Sequence, residues 1–303
     1  MTRHKDKKDK LKKIIVIVGP TSSGKSELAV EIAKKIKGEV ISADSRQIYK
    51  NLDIGTGKIT KKEMKGVPHH LLDIISPKKN FTVSQYQKIA LKKIKNIWKR
   101  GKIPIICGGT GFYIQALIDG IILPKAGQNP KLREKLEKLE TEKLFKLLKK
   151  KDPRRTKNID PYNRRRLIRA LEIVHALGKV PPLRKNPLPA KTLFIGLQKT
   201  KNELEKNIEK RIKQWLRKGL LKEVEKLLKK IKLPQKRFKE LGLVYIWALK
   251  LYKKEINREE FINSLKKELL KYAKRQMTWF KKDKRIIWIK DKSEIDKLLK
   301  NFL

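Results

Sequence analysis

Cysteine, acidic side chains and long apolar runs are what this sequence has least of. One cysteine in 303 residues excludes an internal disulfide and a cysteine-rich zinc site, and it suits a reducing compartment. No apolar run approaches the about 20 residues that a membrane-spanning helix needs. The opening stretch Met1–Lys13 has no apolar h-region, so no secretory signal is read there, and its Asp6 and Asp9 argue against a mitochondrial transit peptide. The expected location is cytoplasmic, with no membrane partner. Against 31 Asp and Glu stand 80 Lys and Arg, a formal charge of +49. That is far beyond the about 2–8 units a small domain uses to stay soluble. Such an excess points to a polyanion, nucleic acid first, because Lys and Arg bound to phosphate release condensed counterions. Lysine nevertheless runs along nearly every helical segment, so a compositional bias accounts for much of the excess, and charge alone names no reaction.

What is present is a strand-and-helix rhythm. The length suits one large α/β domain or two smaller units. A β-branched run, Ile14–Val18, leads through a glycine turn into a helical pattern closed by Gly38. Glu39–Ser42 reads as a second strand running into Asp44. The apolar segment Leu71–Ile75 precedes a helix from about Val83 to Arg100, and Ile103–Cys107 reads as a third buried strand before Gly108–Gly111. Alternation of this kind predicts βαβ units and a parallel sheet, with the binding site at the carboxyl ends of the strands. Residues 121–191 read differently, as an all-helical insertion. They hold a leucine stripe from Leu132 to Leu148 and a second helix from about Tyr162 to Leu177, with no convincing strand. Pro181, Pro182, Pro187 and Pro189 then form a stiff hinge. The core resumes over 192–303 with a strand at Thr192–Leu197, four helices and a last strand, Arg285–Ile289. Residues 1–13 read as a flexible basic arm.

Gly19-Pro20-Thr21-Ser22-Ser23-Gly24-Lys25-Ser26 matches the P-loop pattern, and it sits between a strand and a helix as that mechanism demands. The glycines let backbone N–H groups turn inward around a phosphate, and the following helix adds its dipole. Lys25 reaches the outer phosphate, and Ser26 offers a hydroxyl to Mg²⁺. The expected fold class is therefore a P-loop NTPase-like α/β domain over 14–120 and 192–303, a parallel sheet flanked by helices, carrying the helical insertion. A P-loop serves kinases, ATPases and GTPases alike and does not name the leaving group. Asp44, at the same sheet edge, reads equally as a metal ligand, a general base or a cap on the next turn.

Seven ordered motifs resemble those of the tRNA dimethylallyltransferases, also called tRNA isopentenyltransferases, in their prokaryotic form. They are the loop Gly19–Ser26, Ile41–Tyr49, Leu52–Lys58, Pro68–Ile74, Gly108–Tyr113, the insertion segment Asp152 to Glu172, and Lys274–Phe280. The resemblance spans the chain from about Ile14 to Trp288. It implies transfer of a dimethylallyl group from dimethylallyl diphosphate to N6 of adenosine 37, in tRNAs that read codons beginning with U. By the same resemblance Asp44 is the base, Arg211 and residues Gly19–Ser26 bind the diphosphate with Mg²⁺ on Ser26, and Thr110 meets donor and base. Asp44, Ser45, Arg46, Gln47 and Thr110 hold the flipped nucleotide. Arg133, Arg165, Arg166, Arg169, Lys274, Arg275 and Gln276 are implied contacts to the tRNA anticodon stem-loop, met by a monomer. Four positions depart from the pattern: Asn207 replaces an arginine, Leu243 a tyrosine, Phe112 a leucine, and Asn163 an aspartate found in part of the family. Cys107, His69, His70, Trp215 and Trp247 read as structural; Trp279 follows Lys274-Arg275-Gln276, so it reads first as packing with proximity to RNA as the alternative.

Overall fold

The computed structural model describes residues 12–291 and 293–303, so nearly all of the basic arm lies outside the described residues. Eight short strands occur among them: β1 (Lys13–Val18), β2 (Glu39–Ser42), β3 (His69–His70), β4 (Pro104–Cys107), β5 (Ile121–Ile122), β6 (Arg184–Lys185), β7 (Lys191–Leu197) and β8 (Ile286–Ile289). Six of them form one sheet in the order β3-β2-β4-β1-β7-β8, and every pairing in it is parallel. All carboxyl ends therefore share one edge, where the chain leaves β1 into Gly19, β2 into Ala43 and β4 into Gly108.

The helices, in chain order, begin with α1 (Lys25–Lys35), α2 (Lys61–Met64), α3 (Val83–Lys99) and α4 (Gly111–Ile118). Next come α5 (Pro130–Glu137), α6 (Thr141–Lys151), α7 (Pro153–Thr156) and α8 (Arg164–Leu177). The last group is α9 (Lys201–Arg217), α10 (Leu220–Glu225), α11 (Gln235–Leu241), α12 (Leu243–Tyr252), α13 (Arg258–Phe280) and α14 (Glu294–Phe302). The chain divides into two compact units, one running up to Ile118 and again from Leu188, the other Asp119–Pro187.

In the first unit both faces of the sheet are covered, as parallel sheets require. Ile14, Val16, Ile41 and Ile106 turn to one side and pack with Tyr86, Ala90 and Ile94 of α3 and Ile114 of α4. Ile15, Ile17, Val40 and Ile105 turn to the other and pack with Leu28 and Ile32 of α1 and Leu299 of α14. A third cluster joins α9 to α13 and takes in Ile48, Tyr49 and Leu52, so the loop after β2 rests on a helical platform. Capping boxes at Thr82, Thr200 and Asn257 start α3, α9 and α13.

Several boundaries differ from the sequence reading. Leu71–Ile75 forms no strand, because Leu71 and Asp73 have left-handed φ values of 64° and 54°. The second helix after β7 passes into a π-helical turn at Lys226–Lys230. The insertion carries four helices, not two, and an antiparallel β5–β6 pair that the reading missed. Its leucine stripe belongs to α5 and α6 separately. Arg164 donates to the carbonyls of Leu136, Glu137 and Leu139, at and just past the end of α5. Leu136, Leu144, Leu148, Leu167 and Leu171 form that unit's own core.

Candidate functional site

The first loop at the strand edge is built on positive φ. Gly19 sits at φ 148°, and a Cβ there would come within 2.8 Å of the Leu197 carbonyl oxygen, so only glycine fits. Gly24, at φ 91°, caps α1. Lys25 curls back and donates to the Pro20 carbonyl. Burial pulls its ammonium down from 10.5 to about 8, with Arg211 adding to the effect and Cys107 and Asp44 opposing it. Ser23 buries a hydroxyl with no partner among the described residues. The loop therefore holds desolvated positive charge and helix-end N–H groups, an arrangement that favours an anion.

The loops after β2 and β4 are laced to it. Asp44 Oδ1 accepts from the backbone N–H groups of Arg46 at 2.8 Å and Gln47 at 3.3 Å, so the carboxylate does cap its turn while Oδ2 has no partner among the described residues. Thr110 Oγ1 accepts from the Ser45 N–H at 3.0 Å, and the Thr110 N–H donates to the Ala43 carbonyl at 3.1 Å. Gly108 passes so close that a Cβ would fall 2.2 Å from Ala43 oxygen. Gln276, buried on α13, accepts from the Thr21 N–H at 2.8 Å and donates to the Gly109 carbonyl at 2.9 Å. One amide thus ties the first loop to the third.

Arg211 on α9 closes the arrangement. It donates to Ser22 Oγ at 3.4 Å and the Gly57 carbonyl at 3.3 Å, and its guanidinium lies 5.2 Å from the Trp215 ring centroid. Burial lowers its pKa, while Asp44 and Glu63 oppose. Asn207, one turn earlier, donates to the Ser22 carbonyl at 3.3 Å. Between α1, α9 and the Gly57–Lys65 segment lies a cleft of about 880 Å³, lined by Lys25, Ser26, Lys210, Arg211 and Glu63 among others. Asp44 and Thr110 are not in its lining. Asp44 is linked to the cleft through the electrostatic coupling it has with both Lys25 and Arg211.

Residues 47–283 match the family described as IPP transferase. The tRNA dimethylallyltransferases of Halothermothrix orenii and of a Thermoanaerobacter species are each 41% identical to this chain over 96% of it, covering 93% and 96% of the relatives. The chain belongs to the IPP transferase family. Among solved structures, the full-length tRNA isopentenylpyrophosphate transferase of Bacillus halodurans is similar, with a TM-score of 0.71, 35% identity and 96% and 95% of the two chains covered. A eukaryotic dimethylallyltransferase captured acting on tRNA is similar at a TM-score of 0.77 and 29% identity, over 94% of this chain and 76% of that one.

In this IPP transferase the implied nucleic-acid contacts divide by partner. Arg165 and Arg166 are exposed at the start of α8, and Lys274 and Arg275 are exposed on α13. Three others have partners within the chain. Arg133 donates to Glu172 Oε2 at 2.6 Å. Arg169 donates to the Ala126 and Gly127 carbonyls as well as to Glu172. Gln276 is buried with both ends of its amide taken. These side chains hold the protein together, since Glu172 is only 1% exposed and needs cationic partners. Gln47 is similarly occupied, donating to the Thr56 and Gly57 carbonyls. His70 pairs with buried Glu39 at 2.8 Å, far from ligand chemistry.

Sequence reasoning missed Glu223 altogether. Its carboxylate, 9% exposed, accepts from the N–H groups of Asp53, Ile54 and Gly55 at 2.8, 2.8 and 3.0 Å and from Tyr245 Oη at 2.8 Å. It fixes the loop whose Gly57 carbonyl receives Arg211. Among the described residues no group of three or more His, Cys, Asp or Glu could hold a metal, and no helix is long and apolar enough to cross a membrane.

Proposed function

We propose that this protein transfers a dimethylallyl group from dimethylallyl diphosphate to N6 of adenosine 37, in tRNAs that read codons beginning with U, releasing diphosphate. The observation that carries the reading is the joining at one sheet edge of the loops that bear Lys25, Asp44 and Thr110, tied together by Gln276 and by the Ser45–Thr110 bond, with Arg211 fastened to the first of them at Ser22. A base at the same sheet edge as two desolvated cations suits a reaction that removes a proton at one end and expels the highly charged diphosphate at the other.

Adenine N6 is a weak nucleophile because its lone pair is delocalised into the ring. As N6 attacks C1 of the allyl group, the C1–O bond breaks and its electrons leave with the diphosphate. The N6 proton passes to Asp44 Oδ2, the oxygen that the turn leaves open. Oδ1 stays with the Arg46 and Gln47 N–H groups, which orient the carboxylate. Lys25, Arg211 and the Gly19–Ser26 backbone stabilise charge as it grows on the leaving group. Thr110, fastened to Ser45, holds the base edge next to Asp44.

Ser26 is exposed, and its hydroxyl has no partner among the described residues. It fits Mg²⁺, a cation that binds through one protein oxygen when substrate phosphates supply the others. When bound, the ion neutralises charge on the diphosphate.

A stacked base cannot reach Asp44, so adenosine 37 is extruded from the anticodon loop. Arg46, Arg165, Arg166, Lys274 and Arg275 meet the RNA backbone, and the protein works in the cytoplasm as a monomer. Incubation with dimethylallyl diphosphate, Mg²⁺ and an anticodon stem-loop should yield prenylated RNA and free diphosphate, read by mass. Phosphate transfer from ATP without prenylation would overturn the reading. Asp44→Ala should keep donor affinity and lose about 10²–10⁴ in turnover. Equal loss of both would make Asp44 a structural residue.

A further inference from the structure

The sequence pattern favours packing over RNA proximity for Trp279, but the structure leaves it 37% exposed, beside a Phe112 that is 41% exposed. The two rings meet edge to face, centroids 6.3 Å apart and planes at 74°. We propose that Phe112 and Trp279 form a stacking shelf for a base that neighbours the extruded adenosine. The inference rests on the tRNA-prenylating reading above and adds to it a recognition site for a second nucleotide.

Three observations support the placement. The indole lies directly against Gly111, where a Cβ would come within 2.2 Å of the ring, so the shelf is fixed one residue from Thr110. Trp279 lies one turn beyond Gln276, whose amide joins the loops of the site. The indole also ends a groove of about 380 Å³ lined otherwise by Lys271, Lys274, Arg275, Thr278 and Lys282, with no carboxylate in its lining. A basic groove finishing in exposed rings is the pattern of single-stranded RNA binding, where cations track the backbone and aromatic faces take the bases. Extrusion supplies the need. Removing one base from the anticodon loop deprives both its neighbours of a stacking partner, and an aromatic face beside the channel replaces what is lost.

The test compares Trp279→Leu, which keeps apolar bulk, with Trp279→Phe, which keeps a π-face, and adds Phe112→Leu. The KM for an anticodon stem-loop should rise about ten- to hundredfold in Trp279→Leu, less in Phe112→Leu, and little in Trp279→Phe. The KM for dimethylallyl diphosphate should stay at the wild-type value in all three. Stacking is uncharged, so the salt dependence of RNA binding should be unchanged in Trp279→Leu but shallower in Lys274→Ala. With 2-aminopurine placed at position 36 or 38, wild type should quench one of the two probes on binding, and Trp279→Leu should not. The shelf is overturned if Trp279→Leu binds the stem-loop like wild type, if leucine and phenylalanine lose equally, or if neither probe is quenched. A rise of both KM values together would mark Trp279 as packing and overturn it too. Failure of the wild-type enzyme to prenylate RNA at all would instead refute the reaction itself.

Discussion

Replacing Glu223 by glutamine tests whether a buried carboxylate far from the chemistry sets the donor site. Its Oε2 accepts from the Asp53 and Ile54 N–H groups, and its Oε1 from Gly55 N–H and Tyr245 Oη. Glutamine turns one of those oxygens into an NH₂ group. If the NH₂ faces Asp53 and Ile54, two buried N–H groups lose their acceptor. If it faces the other pair, the Tyr245 hydroxyl rotates to accept and only the Gly55 N–H is orphaned. The second arrangement is the cheaper one. An orphaned buried N–H costs about 1–3 kcal/mol, and the two surviving bonds lose their charge assistance, so the total is about 2–4 kcal/mol. Urea unfolding should register it as a lower midpoint with an unchanged slope. The same loop delivers the Gly57 carbonyl to both Arg211 and Gln47. In the fraction that stays folded, the KM for dimethylallyl diphosphate should therefore rise. A variant within about 0.5 kcal/mol of wild type, with an unaltered donor KM, would show that the loop holds itself and that the argument is wrong.

Two further outcomes follow from the same geometry. Arg211→Lys keeps the charge but cannot span Ser22 Oγ and the Gly57 carbonyl together, so the donor KM should rise about tenfold or more with the RNA KM unchanged; steady-state kinetics with each substrate varied would expose an error. Arg100, joined by His70 and Lys102, holds the Glu39 carboxyl down at about 2 against an ordinary 4.5. The stability this supplies is complete above about pH 4.5 and lost as pH falls through about 2, so Glu39→Gln should flatten the pH dependence of unfolding in that window, and a slope identical to wild type would remove Glu39 from the account.

The parts legible in the sequence were those with local signatures. The Gly19–Ser26 loop announces itself because positive φ demands glycine, and the parallel sheet because strand and helix alternate. Strand order alone puts Asp44 at the edge of the site, but its role as base and the place of Thr110 come only through resemblance, since nothing local says that the turns after β2 and β4 are fastened by a threonine hydroxyl. Glu223 left no trace because its partners are main-chain N–H groups, which any sequence at 53–55 would offer. The β5–β6 pair escaped because two residues are too few to show a period of two. Arg169 carried a usable signal that went unread: Glu172 lies three residues on, along the same helical face.

The pairing of Arg169 with Glu172 bears on the charge. The resemblance implies tRNA contacts for Arg133, Arg165, Arg166 and Arg169 alike, yet the folded chain treats them differently. Arg133 and Arg169 neutralise a carboxylate that has almost no contact with water, and diverting either to a phosphate would leave Glu172 buried with less compensation, a costly exchange. Arg165 and Arg166 are exposed, with no carboxylate partner among the described residues, and RNA phosphate can take them without breaking anything. Lys274 and Arg275 stand on the same side of this division. Exposure and the lack of an internal acid therefore mark the positive charge that is free to meet a phosphate, a distinction that neither resemblance nor a net charge of +49 makes. Salt should weaken RNA binding through the exposed Arg165, Arg166, Lys274 and Arg275, which a Debye length of about 8 Å screens, while Arg133→Ala should act first on the stability of the insertion, because it strips a cation from the buried Glu172 carboxylate.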